Sequence, residues 1–165
     1  MLSQCESLVR EIDCRYATDA ELIFLLHYRK SYPKRFSLYK KIGQLEQAIV
    51  DSMYKEVRKK APQILHSRKQ DISSKWKQDA LRTMRYCATA VLLDDANSLQ
   101  NKYLLWFQTV MDAFNSRHSC DITYAIMQEV VQQLFTAEEV EMLLPMVQLA
   151  QATLGMTETT QLTKL

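Results

Sequence analysis

Four cysteines, three histidines and one helix-borne carboxylate are the side chains of this sequence best suited to chemistry, and their spacing argues against most of it. Cys5, Cys14, Cys87 and Cys120 form no CxxC pair and no cluster with histidine, so a structural zinc site is not expected. In a chain long enough to bury a core, they read as reduced thiols of a cytosolic compartment, packed as small hydrophobes. His27, His66 and His118 stand apart from one another, and none has the apolar surroundings of an axial haem ligand. No Ser-His-Asp, Cys-His or paired-carboxylate arrangement is readable. With only Gly43 and Gly155 in the chain, there is no glycine-rich phosphate loop. Asp79 lies three residues before Arg82, with Lys77 and Arg85 close by, a spacing that makes a surface ion pair on one helix. The expectation is a protein that binds rather than catalyses.

Charge narrows the partners. The net charge is +2, but residues 1–93 carry 18 basic and 10 acidic side chains, whereas residues 94–165 carry three and nine. Such polarity favours head-to-tail or heterotypic association through complementary fields, unless the two faces neutralise each other within one fold. The runs Arg29-Lys30, Lys34-Arg35, Lys40-Lys41 and Arg58-Lys59-Lys60 lie among Tyr28, Tyr32, Phe36 and Tyr39. Basic residues with aromatics can bind nucleic acid, but these aromatics fall at helical core spacing. No nucleic acid is therefore expected. An acidic protein or an anionic membrane surface suits the cations better. No run of 18 apolar residues crosses a membrane, and the charged first 20 residues do not read as a signal peptide.

The elements that must position these residues read as helices throughout. Hairpins and crossovers need more glycine and proline than Gly43, Gly155, Pro33, Pro62 and Pro145 supply. Residues 3–15 form a short amphipathic helix. Thr18-Asp-Ala-Glu21 has the capping-box spacing and opens a second helix, with Pro33 a new start or kink. Residues 34–61 keep helical spacing, with Gly43 either a break or a close-packing point. Residues 63–72 read as a loop. Asp71 or Ser73 caps a helix running to about Leu93, with Trp76, Ala80, Met84 and Cys87 inward. Further helices cover 99–114, 120–135 and, from the box Thr136-Ala-Glu-Glu139, the stretch to Leu154, where Gly155 stops it. The sum is an all-α domain of about eight helices, packed roughly as in a globin. Its parts are an N-terminal pair over residues 1–32, a core over 33–155 and a frayed tail over 156–165.

Two stretches resemble the phycobiliprotein (phycobilisome protein) family of light-harvesting subunits. The first is Arg15-Tyr16-Ala-Thr18-Asp-Ala-Glu21-Leu22, with the helical run that follows it to Lys59-Lys60-Ala61-Pro62. The second is Asp79-Ala-Leu-Arg-Thr-Met-Arg85-Tyr86-Cys-Ala-Thr-Ala-Val91. Gln108-Thr109 to Met127-Gln128-Glu129 also keeps family spacing, and the resemblance spans about residues 10–155. It implies a globin-like core with two extra N-terminal helices that dock on a partner subunit. It implies an interface that uses Glu11, Tyr16 and Arg85, together with the apolar residues Leu8, Ile12 and Leu22. A self-pair or a pair with another family member satisfies that interface, so a dimer is expected.

The departures set the functional expectation. The family links its open-chain tetrapyrrole through a cysteine three residues before the helical aspartate, and here that position holds Trp76. An indole cannot form a thioether. Gln78 replaces the arginine that would meet a propionate, and the second attachment position near Thr136–Glu139 has no cysteine. The chain is thus expected to be a divergent member without covalent pigment, with Trp76 plugging the vacated pocket. It would act as an assembly or regulatory partner of phycobilisomes or another photosynthetic protein, in the cytoplasm or at the thylakoid face with peripheral membrane contact. Two alternatives stand beside this. One is a non-covalent bilin binder using Asp79, Arg82 and Lys77, since a carboxylate accepts from two pyrrole N–H groups at once. The other is a globin-like sensor of haem or another small ligand.

Overall fold

The computed structural model describes residues 1–67 and 70–156. The expected tail (156–165) therefore lies outside these residues but for Met156, as do Arg68 and Lys69. Seven α-helices are described: α1 (Leu2–Glu11), α2 (Asp19–Lys60), α3 (Ser73–Leu93), α4 (Ala96–Leu99), α5 (Leu105–Ala113), α6 (Arg117–Leu134) and α7 (Ala137–Leu154). A π-helical turn, Gln100–Leu104, joins α4 to α5 without a break. A 3₁₀ turn at Pro62–Leu65 and a two-residue antiparallel ladder, His66–Ser67 with Gln70–Asp71, occupy much of the stretch read as a loop. The fold is all-α and globin-like.

Both capping boxes form. Thr18 Oγ1 accepts from the Glu21 amide and Glu21 accepts from the Thr18 amide, and Thr136 and Glu139 repeat the pattern at α7. Helix α1 ends at Glu11, earlier than expected, and Cys14 takes a left-handed φ of 57°. Helix α6 starts at Arg117, inside the expected loop.

The sharpest departure is α2. It runs 42 residues without interruption through both Pro33 and Gly43, about 63 Å at 1.5 Å per residue. Pro33 is exposed, so the carbonyl it leaves without a donor can turn to water. Gly43 is neither a break nor a tight contact, because a Cβ there would meet nothing within 4 Å. Gly43→Ala is therefore expected to stabilise the chain by about 0.5–1 kcal/mol through the lower helix propensity of glycine. A urea midpoint that fell would contradict the open space.

The core begins only at Leu38. It joins the second half of α2 (Leu38, Ile42, Ile49, Met53, Val57) to α3, the π turn, α5, α6 and α7. Residues 1–37 contain no fully buried side chain. They are tied instead to the far end of α3. Tyr28 Oη donates to the Leu92 carbonyl at 3.1 Å and Arg35 to the Val91 carbonyl at 2.9 Å, both in the last turn of the helix, where Val91 also accepts from the Asp94 amide at 3.2 Å. Ser3 donates through both its amide and its hydroxyl to buried Asp95, at 2.8 Å each, and the same carboxylate caps α4 at Ser98. The uneven charge is met in part inside the fold: Lys34 pairs with Glu138, Arg35 with Asp94, Lys41 with Glu139 and Lys60 with Glu129.

Candidate functional site

Helix α3 presents Trp76, Ala80, Thr83, Met84 and Cys87 to the interior at the spacing of one helical face. Where this face meets α5, α6 and the ladder, a cavity of about 230 Å³ remains. Asp79, Trp76 and Lys75 line it from α3, Phe107 and Met111 from α5, and Cys120, Thr123 and Tyr124 from α6. Trp76 is a buried wall of this cavity. Its Nε1 donates to Thr123 Oγ1 at 2.8 Å, and its ring sits 6.3 Å from that of Tyr54.

Of the three residues expected around a non-covalent pigment, only Asp79 reaches the cavity. Lys77 turns away, pairing with Asp51 at 2.9 Å and lying 4.3 Å from the centre of the Tyr54 ring. Arg82 is exposed. The surface ion pair expected between Asp79 and Arg82 does not form among the described residues; the lysine in the lining is Lys75, whose Nζ lies over Phe114 at 4.7 Å. Burial raises the Asp79 pKa above the ordinary carboxylate range, outweighing the opposing fields of Arg82 and Lys75. A raised folded-state pKa means that ionisation opposes folding. Wild type should thus lose stability relative to Asp79→Asn as pH rises from about 4 to about 7, because the unfolded carboxyl ionises first. Denaturation of both proteins across that range reads the difference directly. A constant gap would contradict the buried setting.

A polar cluster lies beneath the lining. Thr83 Oγ1 is 2.8 Å from the Tyr103 phenol and 2.9 Å from the Tyr124 phenol, and it donates to the Asp79 carbonyl at 3.1 Å. All three side chains are buried, and burial pushes both phenols above their usual range. Cys120, which sequence reasoning left without a role, stands in the cavity wall. Its signal was the i, i+3, i+4 spacing with Thr123 and Tyr124 on one face of α6. Burial holds the Cys120 thiol up at about 12, and Cys87 likewise, so neither supplies a thiolate near neutral pH. None of His27, His66 and His118 lines the cavity. Among the described residues, no group of three or more His, Cys, Asp or Glu could hold a metal.

The expected docking residues lie apart from this cavity. Tyr16 is 97% exposed and Glu11 is exposed. Leu8, Ile12 and Leu22 are half-buried, with Leu8 and Glu11 lining a shallow groove beside Phe24. Arg85 pairs within its own chain, donating to both carboxylate oxygens of Glu46 at 2.6 and 2.8 Å.

An all-helical globin-like core carrying a projecting N-terminal helical pair defines the class. The family model of the phycobilisome protein matches residues 9–154. The chain belongs to the phycobilisome protein family. A search of curated proteins finds no match.

Proposed function

We propose that the chain is a pigment-free member of its family that works by docking, as an assembly or regulatory partner of phycobilisomes or of the photosynthetic apparatus. The observation that carries this reading is Trp76. A buried indole, fixed to Thr123, stands where the resemblance requires sulfur. The residues present do not fit a covalently held open-chain tetrapyrrole. Position 76 has no thiol, Gln78 has no guanidinium, and Cys120 is held protonated. The remaining space of about 230 Å³ is below the roughly 300–1,000 Å³ of sites for drug-sized ligands. Trp76 fills part of the space a pigment would need, which is the plugging role proposed for it.

The docking surface rests on residues 1–37, where Val9, Tyr16, Ile23 and Leu26 are half or more exposed. Isolated apolar side chains are ordinary on a surface, but a projecting pair of helices that buries none of its residues fully asks for a cover. Tyr16, Glu11, Leu8, Ile12 and Leu22 would contact a phycobiliprotein-type subunit, a second copy or another member, with Arg85 at the edge once released from Glu46. No described helix is long and apolar enough to cross a membrane. Membrane contact at a thylakoid face would therefore be peripheral to the described helices.

The test is purification from a bilin-producing host, followed by an absorption spectrum and sizing alone and with phycobiliprotein subunits. A colourless protein that co-elutes with a subunit is the expected result. Pigment that stays on the denatured chain, or a strict monomer that captures no subunit, overturns it. A second reading, non-covalent bilin at Asp79, is favoured by one observation: that carboxyl lines the cavity without an ion-pair partner among the described residues. A pigment band that acid urea removes would select it.

A further inference from the structure

Two opposite charges line the cavity without meeting. Lys75 and Asp79 stand one turn apart on α3, and both border the same space. The lysine precedes the aspartate, the less favourable order for an i, i+4 ion pair. Its Nζ lies instead over the Phe114 ring at 4.7 Å. Neither charge has an ion-pair partner among the described residues. A carboxylate turned toward an apolar space without a donor is costly to keep, and docking through residues 1–37 gives this one no task.

The rest of the lining selects what can stand between the two charges. Trp76, Phe107 and Met111 are buried walls. Lys75 and Phe114 are exposed and mark the rim, and Asp79 is half-buried between rim and wall. The space is therefore apolar inside, with both signs of charge at its edge. A simple amine would answer Asp79 and leave Lys75 aside. A simple carboxylate would answer Lys75 and stand close to an unneutralised Asp79. A zwitterion satisfies both at once, through a charge-assisted hydrogen bond at each end.

Size narrows the class. A cavity of about 150 Å³ accommodates benzene, roughly six non-hydrogen atoms. At the same density, about 230 Å³ takes roughly nine such atoms, the count in leucine. An open-chain tetrapyrrole is several times larger. We propose that the cavity binds a small apolar α-amino acid of leucine's size, with its ammonium on Asp79, its carboxylate on Lys75 and its side chain among Trp76, Phe107 and Met111. This goes beyond the docking role, and it rests on the pigment-free reading only in needing the cavity unfilled.

The experiment titrates the full chain, purified from a host that makes no bilin, with leucine in a calorimeter. Saturable binding in the millimolar range or tighter is expected. 4-Methylpentanoate, which lacks the ammonium, and 3-methylbutan-1-amine, which lacks the carboxylate, should each bind at least tenfold more weakly. Asp79→Asn and Lys75→Gln should each weaken leucine at least tenfold without lowering the thermal midpoint, since neither side chain has an ion-pair partner to lose. Nuclear Overhauser contacts from the leucine methyls to the Trp76 and Phe107 rings should fix its place. No saturation in the millimolar range, an analogue that binds as tightly as leucine, binding indifferent to either substitution, or contacts away from those two rings overturns the proposal. Pigment on the chain from a bilin-producing host would overturn the pigment-free reading and leave the leucine measurement standing.

Discussion

Trp76→Ala lowers stability by about 3–5 kcal/mol, the largest loss expected from a single change in the cavity wall. Removing a buried indole forfeits its transfer free energy and leaves a hole that α3 and α6 cannot close. It also leaves Thr123 Oγ1, itself buried, without its donor, which adds to the loss. Trp76→Phe separates the two effects, since it keeps most of the area and loses the hydrogen bond, and should cost about 1–2 kcal/mol. Equilibrium denaturation of the three proteins measures the ladder. If Trp76→Ala cost less than about 1 kcal/mol, the indole would not be the packed element described here, and the proposed plug would fail with it. Trp76→Cys extends the test to chemistry. It supplies a thiol at the linkage position, and pigment that survived denaturation on this variant but not on wild type would tie the loss of pigment to that one side chain.

Thr83→Val follows, with an expected loss of about 2–4 kcal/mol. Valine keeps the shape of threonine and removes the hydroxyl that both the Tyr103 and Tyr124 phenols address. Two buried phenols then lack their partner, and each unsatisfied group costs roughly 1–3 kcal/mol, less whatever the two recover by bonding to each other. Thr83→Ser retains the hydroxyl and gives up one methyl, a change of about 1 kcal/mol. The contrast between the two variants is the measurement. Equal losses would mean that methyl packing, not the shared hydroxyl, matters at this position.

Much of the architecture was legible because it is encoded locally. Thr18 and Thr136 each stand three residues before a glutamate, and each pair forms a reciprocal cap. The apolar spacing of α3, α6 and α7 marks the faces they bury. Pro33 and Gly43 misled because both lie on the exposed side of α2, where a missing donor or a missing side chain disturbs nothing that is packed. The candidate site was harder to read. Trp76 meets Thr123 from 47 residues away, Arg85 meets Glu46 from 39, and Thr83 meets Tyr124 from 41. Local spacing says which face a residue occupies but not which face stands opposite. The same limit hid Cys120 from the cavity, placed Lys75 there rather than Lys77, and left open whether the two charged halves would meet within one molecule.

The unbroken passage of α2 from the packed interior into the projecting arm has a mechanical consequence. One continuous rod serves as central pillar and as outrigger, so the arm cannot swing on a hinge as a looped arm would. Its bearing is fixed before any encounter, and little freedom is left to surrender on contact. Amide exchange should consequently quicken steadily along the rod from Leu38 toward Asp19, rather than jump at a joint. Whatever binds there meets a strut, and must accept the angle at which it is offered.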